Sequence, residues 1–223
     1  MCGRYTLVTD LDILKERFLF SNDVLIEPRY NIAPGQNILT VVSDQTNHRR
    51  AGLLKWGLVP FWAKEPKIGY KMINARAESI DEKPSYKTLL SRRRCLILAD
   101  SFYEWKATED GKQPMRILLK GSVPFAMAGL WDKWRHNDQT LTTCTIITTA
   151  ANTLMKDIHH RMPVILTKEA ETMWLDRSKK DSHALKSLLT PYKPDEMTYH
   201  PVSTQVNNAR LDDVSLISKI NSL

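Results

Sequence analysis

The first periodic signal along the chain is helical. Thr9 or Asp10 can cap a helix running to about Phe20, with Leu11, Leu14, Phe18 and Leu19 as its apolar stripe. A proline-bearing loop follows, and the pattern then shortens to that of strands. Residues 37–43 (NILTVVS) and 52–59 (GLLKWGLV) read as strands, and 60–71, rich in Pro, Gly, Trp and Lys, reads as a surface loop carrying Phe61 and Trp62. A short helix is expected from Tyr86 to Arg93 and a strand from Cys95 toward Trp105. The turn Glu109-Asp110-Gly111 then returns the chain into MRILLK as a hairpin. VPFAMAGLW and LTTCTIITT continue the strands, NTLMKDIHH suggests a short helix, and MPVILT is strand again. Helices near 169–175 and 182–189 precede a late strand, MTYHPVS.

Strands joined by hairpins and interrupted by few helices imply an α+β domain with a curved, largely antiparallel sheet and flanking helices. At 223 residues the chain is expected to form a single domain over 1–223, with a core over 1–206. The tail 207–223, with Asn207, Asn208 and several Ser, is expected to be loosely held. Internal repeats, heptads and low-complexity linkers are not evident.

Composition changes this picture little: 42% hydrophobic and 26% charged residues are ordinary for a globular protein. No apolar run approaches the roughly 20 residues that cross a bilayer, and MCGRYTLVTD lacks a signal-peptide core. A cytoplasmic protein is therefore expected, with no membrane partner. Charge adds more. A net +7 suits a polyanionic partner, although the runs Arg49-Arg50, Arg92-Arg93-Arg94 and Lys179-Lys180 read as solvated faces more readily than as binding sites. The three cysteines, Cys2, Cys95 and Cys144, form no C-x-x-C pair, so neither a disulfide framework nor a zinc site is indicated, and no cofactor is expected. Cys95 and Cys144 sit in apolar strand-like runs and read as buried hydrophobes.

Cys2 has no such context. It follows the initiator Met and precedes Gly3, and loss of Met1 would leave an amine and a thiol on adjacent carbons. With an α-amine pKa near 8, an appreciable neutral fraction exists at pH 7. The amine can form an imine with an aldehyde, and the thiol can then close a five-membered thiazolidine, which an internal cysteine cannot do. Three polar stretches interrupt otherwise apolar sequence: Asn74-Ala75-Arg76-Ala77-Glu78, Phe102-Tyr103-Glu104-Trp105 and Ile158-His159-His160-Arg161-Met162-Pro163. Singly, Asn74 suits a turn, Glu104 a strand edge and His159 a helix end. Together they supply a carboxylate, an imidazole, an amide and two arginines, the parts needed to move protons and grip phosphates.

The chain also resembles the SRAP family, the SOS-response-associated peptidase domain. MCGRY, RYNIAPGQ (29–36), WGLVPFWA (56–63), INARAES (73–79), CLILADSFYEWK (95–106), IHHRMPVIL (158–166) and HPVS (200–203) resemble the family's blocks in order and span nearly the whole chain. The resemblance implies a barrel-like sheet with a positive groove for single-stranded DNA containing abasic sites. It implies Cys2 as nucleophile, Asn74 as a hydrogen-bonding partner of the sugar or α-amine, Glu104 as the group that orients and deprotonates that amine, and His159 as proton donor to the opening sugar. Arg76 and Arg161 are expected to grip phosphates; Arg4, Trp62, Thr148 and the Pro34-Gly35 turn are further expected DNA contacts. His160 stands where some relatives carry Asp, so two adjacent histidines compete, and His159 is the choice because it follows Ile158 as in the family block.

The expected activity is covalent capture of the abasic aldehyde, with associated strand cleavage and removal of the protein's own Met1. A cysteine peptidase using the Cys2 thiolate with His159 as base draws on the same residues. A non-covalent single-strand binder would instead use basic residues and stacking by Trp62. A monomer is expected, in the cytoplasm or on a nucleoid.

Overall fold

Long runs of β-branched and apolar residues build most of this protein, and its longest described α-helix, Pro84–Arg92, has nine residues. The computed structural model describes residues 2–220. In chain order the strands are β1 (Tyr5–Leu7), β2 (Arg29–Ile32), β3 (Asn37–Ser43), β4 (Arg49–Trp56), β5 (Asn74–Arg76), β6 (Arg94–Ala99), β7 (Ser101–Thr108), β8 (Gly111–Leu119), β9 (Phe125–His136), β10 (Gln139–Ala150), β11 (Arg161–Pro163), β12 (Ile165–Leu166) and β13 (Met197–Pro201). The α-helices are α1 (Leu11–Phe18), α2 (Pro84–Arg92), α3 (Lys168–Leu175) and α4 (Ser182–Lys186).

Five strands close on themselves. β4 pairs β3, β3 pairs β6, β6 pairs β9 and β9 pairs β10, all antiparallel, and β10 returns to β4 in a parallel pairing. The barrel is thus mixed, because its closing seam is parallel; closure removes exposed edges. β5 joins β10 in parallel, β11 joins it antiparallel, and β12 extends β9. A second, antiparallel sheet has the order β13-β8-β7-β1-β2. Ile38, Leu96, Leu98, Met127, Leu130 and Ile146 belong to one core packed from both layers.

The expected strand from Cys95 to Trp105 is two strands in different sheets. The break falls at Asp100, whose buried carboxylate accepts from the amides of Val8 and Thr9 and the Thr9 hydroxyl. That corner carries the chain from the barrel into the second sheet. β4 ends at Trp56 rather than Val59, because Gly57 takes φ 126° and a Cβ there would lie 2.8 Å from the Gly69 carbonyl oxygen. This glycine pair holds the 60–71 segment down, and part of it, Pro66–Lys71, is a 3-10 helix. Leu19 is not on the stripe of α1: it is the left-handed cap, 68% exposed, whereas Leu14 and Phe18 are buried. NTLMKDIHH is a series of turns and not a helix. Asn152 organises it, accepting the Met155 amide on Oδ1 at 2.9 Å and donating to the Tyr192 carbonyl at 2.7 Å.

The segment after Val206 makes specific contacts. Asn31, fully buried, donates to the carbonyls of Val206, Asn208 and Leu211, and Asp212 accepts from the amides of Tyr30 and Asn31. Leu216 packs with Tyr103 and Val202, and the Ile220 amide donates to Pro201. Among the described residues, no helix is long and apolar enough to cross a membrane.

Candidate functional site

The ladder of the second sheet sets Cys2 beside Glu104. β1 pairs β7 with Tyr5 opposite Phe102, and the Tyr103 amide donates to the Arg4 carbonyl at 2.9 Å. Side chains alternate along β7: Tyr103 belongs to a small outer cluster, whereas Phe102 faces the main core and Glu104 shares that face. Glu104 is buried there, and Cys2 is fully buried.

The barrel supplies the other side. β5 lies on β10 with Asn74 opposite Ile146 and Arg76 opposite Thr148, while β11 lies on the other edge with Arg161 opposite Ala150. Ala75 is buried, so Asn74 and Arg76 share the opposite face of β5. From there Asn74 Nδ2 donates to the Cys2 carbonyl oxygen at 2.9 Å. Asn74 Oδ1 is buried and accepts no hydrogen bond from the described residues. A hydrogen-bond acceptor in that condition is a receptive point for a ligand donor.

His159 precedes β11. Its Nδ1 is 3.0 Å from the Arg161 amide and 3.1 Å from the Arg161 carbonyl. The amide hydrogen is fixed, so Nδ1 accepts it, and the neutral ring carries its proton on Nε2. The His160 ring lies 4.3 Å from that of His159.

The electrostatics follow from burial. Burial first, and then the negative charge of Glu104, push the Cys2 thiol far above the ordinary cysteine range. Burial likewise raises Glu104, opposed in part by the charge of His160. His159 is lowered, chiefly by burial, and His160 is lowered chiefly by His159. The result is a carboxyl group able to exchange protons closer to neutrality, beside an imidazole that stays neutral and can donate from Nε2. The thiol is protonated.

A model of the family described as SOS response associated peptidase (SRAP) matches residues 1–209. The chain belongs to the SRAP family. The abasic site processing protein YoqW of Bacillus subtilis (strain 168) is 52% identical over 222 residues, 97% of this chain and 99% of that protein. The abasic site processing protein YedK of Escherichia coli (strain K12) is 30% identical over 229 residues, 99% of this chain and 100% of that protein. A crystal structure of a Bacteroides thetaiotaomicron protein is similar with a TM-score of 0.88 at 26% identity, covering 99% of this chain and 100% of that one.

In this SRAP chain the expected site residues do not all converge. Asn74 and Glu104 adjoin Cys2, His160 acts on Glu104 and lies near His159, and Arg76 is exposed on β5 close enough to act on His160. Arg161 is mostly buried and already occupied: its two terminal nitrogens bond both carboxylate oxygens of Glu78 at 2.6 and 3.0 Å, and Nη2 also donates to the Thr148 carbonyl at 2.6 Å. Thr148 is fully buried beneath it, with its hydroxyl donating toward the Ala75 carbonyl. Arg4 turns inward to Asn31 Oδ1 and the Val206 carbonyl at 2.7 and 2.6 Å, which leaves it bracing the C-terminal segment. Trp62, 50% exposed, opens on a separate cavity of about 440 Å3 with Lys64, Lys67 and Lys71. Pro34 precedes Gly35, whose amide donates to the Trp56 carbonyl at 2.7 Å and which lines a small cavity with Tyr70.

Sequence reasoning passed over Glu78 and Asn31. Glu78 lies within the INARAES block and Asn31 within RYNIAPGQ, so the blocks contain them, but their partners lie 83 and 175–180 residues away. The described residues contain no group of three or more His, Cys, Asp or Glu placed to hold a metal ion.

Proposed function

We propose that this SRAP protein processes abasic sites in single-stranded DNA, and that after loss of Met1 it captures the ring-opened sugar aldehyde on Cys2. The amine acts first. Its lone pair attacks the aldehyde carbon, and loss of one water leaves an imine. The Cys2 sulfur then adds to the imine carbon and the thiol proton ends on nitrogen, closing a thiazolidine. Glu104 takes the proton released as the amine attacks. His159 donates from Nε2 to the sugar oxygen as the ring opens. An imine that loses a proton from the neighbouring sugar carbon before the sulfur closes would expel the 3′ phosphate, which accounts for strand cleavage as a side path. Arg76 contacts phosphate at the border of the site. Such a role fits a protein of the cytoplasm or nucleoid.

The observation that carries this reading is the Asn74 hydrogen bond to the Cys2 carbonyl beside buried Glu104. It holds the backbone atoms of Cys2, and so its amine, at the junction of the two sheets. The names of the relatives point to the same class of substrate. A thiolate-dependent peptidase acting on other proteins fits less well, because burial and Glu104 hold the thiol in its protonated form.

The test is incubation of the protein lacking Met1 with a single-stranded oligonucleotide bearing one abasic site, followed by a denaturing gel and mass measurement. The expected product is an SDS-resistant adduct whose mass is the sum of the two reactants less one water. Tight binding without any such adduct would reduce the protein to a single-strand binder.

A further inference from the structure

Away from Cys2 the barrel carries a cavity of about 680 Å3 lined by five cations, Arg92, Arg93, Arg94, Arg177 and Lys180, against one carboxylate, Asp44. β6 measures its separation from the site described above. Arg94 begins that strand at the cavity, and Ala99 ends it at the Asp100 corner leading to β7 and Glu104. Five steps at about 3.3 Å place the two ends about 17 Å apart. β3 reaches the same cavity from the other direction, ending in Ser43.

The cations are not neutralised by their surroundings. The Asp44 carboxylate accepts from the Thr46 amide and hydroxyl, the His48 amide and Arg50, which is outside the cavity lining. Asp176 nearby is turned to Ser178. Arg94, 6% exposed, donates to the carbonyls of Leu90, Trp174 and Asp176, and it forms no ion pair among the described residues. Carbonyls satisfy its N–H groups, and its charge is offset in part by the Asp176 carboxylate, which lies outside the cavity lining. Arg93 lies over the Trp131 ring at 4.3 Å, which fixes one guanidinium plane against the wall. Arg92 and Lys180 at the rim are exposed, and neither is in an ion pair among the described residues.

Like charges gathered in one concavity repel, and the field they make there favours an anion. Guanidinium forks match phosphate oxygens in pairs, and the volume falls within the roughly 300–1,000 Å3 of small-ligand sites. We infer that this cavity is a second phosphate-binding site, independent of Cys2, filled either by a free phosphate ligand of nucleotide size or by backbone phosphates of a bound strand. The chemistry is shared; the source is what an experiment must separate.

The variant for the test is Arg92→Glu/Lys180→Glu, with Arg92→Gln/Lys180→Gln as a milder second in case charge reversal impairs folding. Calorimetric titration with inorganic pyrophosphate and with dAMP probes the free ligand. Saturable binding by the wild type that weakens about tenfold or more in the variants establishes that source. Undamaged single-stranded oligonucleotides of two lengths probe the strand, one confined to the Cys2 site and one long enough to reach the cavity. If the strand is the source, the variants lower the salt slope by roughly 0.7 per lost contact for the longer oligonucleotide alone. Unchanged capture of a short abasic oligonucleotide and an unchanged melting midpoint show that fold and Cys2 site are intact. Salt slopes that the substitutions leave alone overturn the site when the wild type binds neither small probe, and equally when it binds them no better than the variants do.

Discussion

Asn74 donates from Nδ2 to the carbonyl oxygen of Cys2 at 2.9 Å, so a residue at the start of a barrel-edge strand holds the backbone of the second residue of the chain. The bond crosses 72 positions and ties the segment just before β1 of the second sheet to β5 at the edge of the barrel. A terminus is ordinarily the part of a chain most free to move. Here β1 fixes it from one side and Asn74 from the other, which lets a terminal amine serve as a positioned reactant.

Asn74→Ala should slow adduct formation by about two- to tenfold, the effect of losing one hydrogen bond worth roughly 0.5–1.5 kcal/mol. Affinity for undamaged single strands should hardly change. The readout is single-turnover capture at saturating DNA, and a loss confined to DNA affinity would place Asn74 on the strand and not on Cys2.

Glu104→Gln separates chemistry from stability. Burial raises the folded-state pKa of Glu104 above its ordinary value of 4.5, so between those two pKa values the folded state binds more protons than the unfolded one. Wild-type stability therefore falls as pH rises through that window, and the Gln variant lacks this loss. The melting midpoint of Glu104→Gln relative to wild type should climb as pH rises above 4.5 and level off beyond the raised value, while capture slows by about 100-fold to 10,000-fold. A difference in midpoint that ignores pH would contradict the burial argument.

How much of this was legible in sequence depended on range. The longer strands, α2, α3 and the hairpin at Gly111 follow from local pattern, whereas the three- and four-residue strands β1, β2 and β5 were not expected because so few residues show no alternation; Cys2, Asn74 and Glu104 were picked out by the ordered blocks that carry them. The corner at Asp100 was not legible, because LILADSFY is continuously strand-like and the amides that turn it belong to Val8 and Thr9. Nor was the helix-like spacing of NTLMKDIHH a safe guide, since Asn152 caps a turn and also reaches Tyr192. Arg4 and Thr148 look like polar contacts in one dimension; their partners, Asn31, Val206 and Arg161, come from elsewhere in the chain.

The two arginines should part company. Arg76 is exposed and makes no ion pair among the described residues, so Arg76→Ala should leave the melting midpoint within the range of an ordinary surface change and lower the salt slope of single-strand binding by roughly 0.7. Arg161→Ala should cost about 1–3 kcal/mol of stability, because it removes the fork to Glu78 and the bond to Thr148; the figure is modest because the Glu78 side chain is 53% exposed. Equal salt slopes lost in both variants, with no destabilisation in Arg161→Ala, would show that Arg161 releases Glu78 to hold phosphate.

The histidines divide by position. His159 is braced by the Arg161 amide and His160 is exposed, yet of the two histidines it is His160 whose charge acts on Glu104, as a minor contribution against its rise. His159→Ala should lower the maximal capture rate by about 100-fold or more. His160→Ala should keep the maximal rate while its acidic limb moves to higher pH, because Glu104 loses a nearby positive charge. If the maximal rate collapses in His160→Ala instead, the proton donor is His160.

The N-terminus divides the proposed chemistry from its rivals, since a thiazolidine needs both the amine and the thiol of Cys2. Cys2→Ala keeps an amine, so it should still form a reversible imine and cleave the strand by β-elimination, and it should give no stable adduct. An extension ahead of Cys2 keeps the thiol but converts the amine to an amide, and it should abolish both the stable adduct and the cleavage while single-strand binding persists. The two variants thus fail at different steps, which gel analysis of adduct and cleaved strand can tell apart. A protein using only a thiolate would tolerate a short extension, and a simple binder would be indifferent to either change. If protein shown by mass to retain its extension still forms the adduct at the rate of the mature form, Cys2 does not act through its amine.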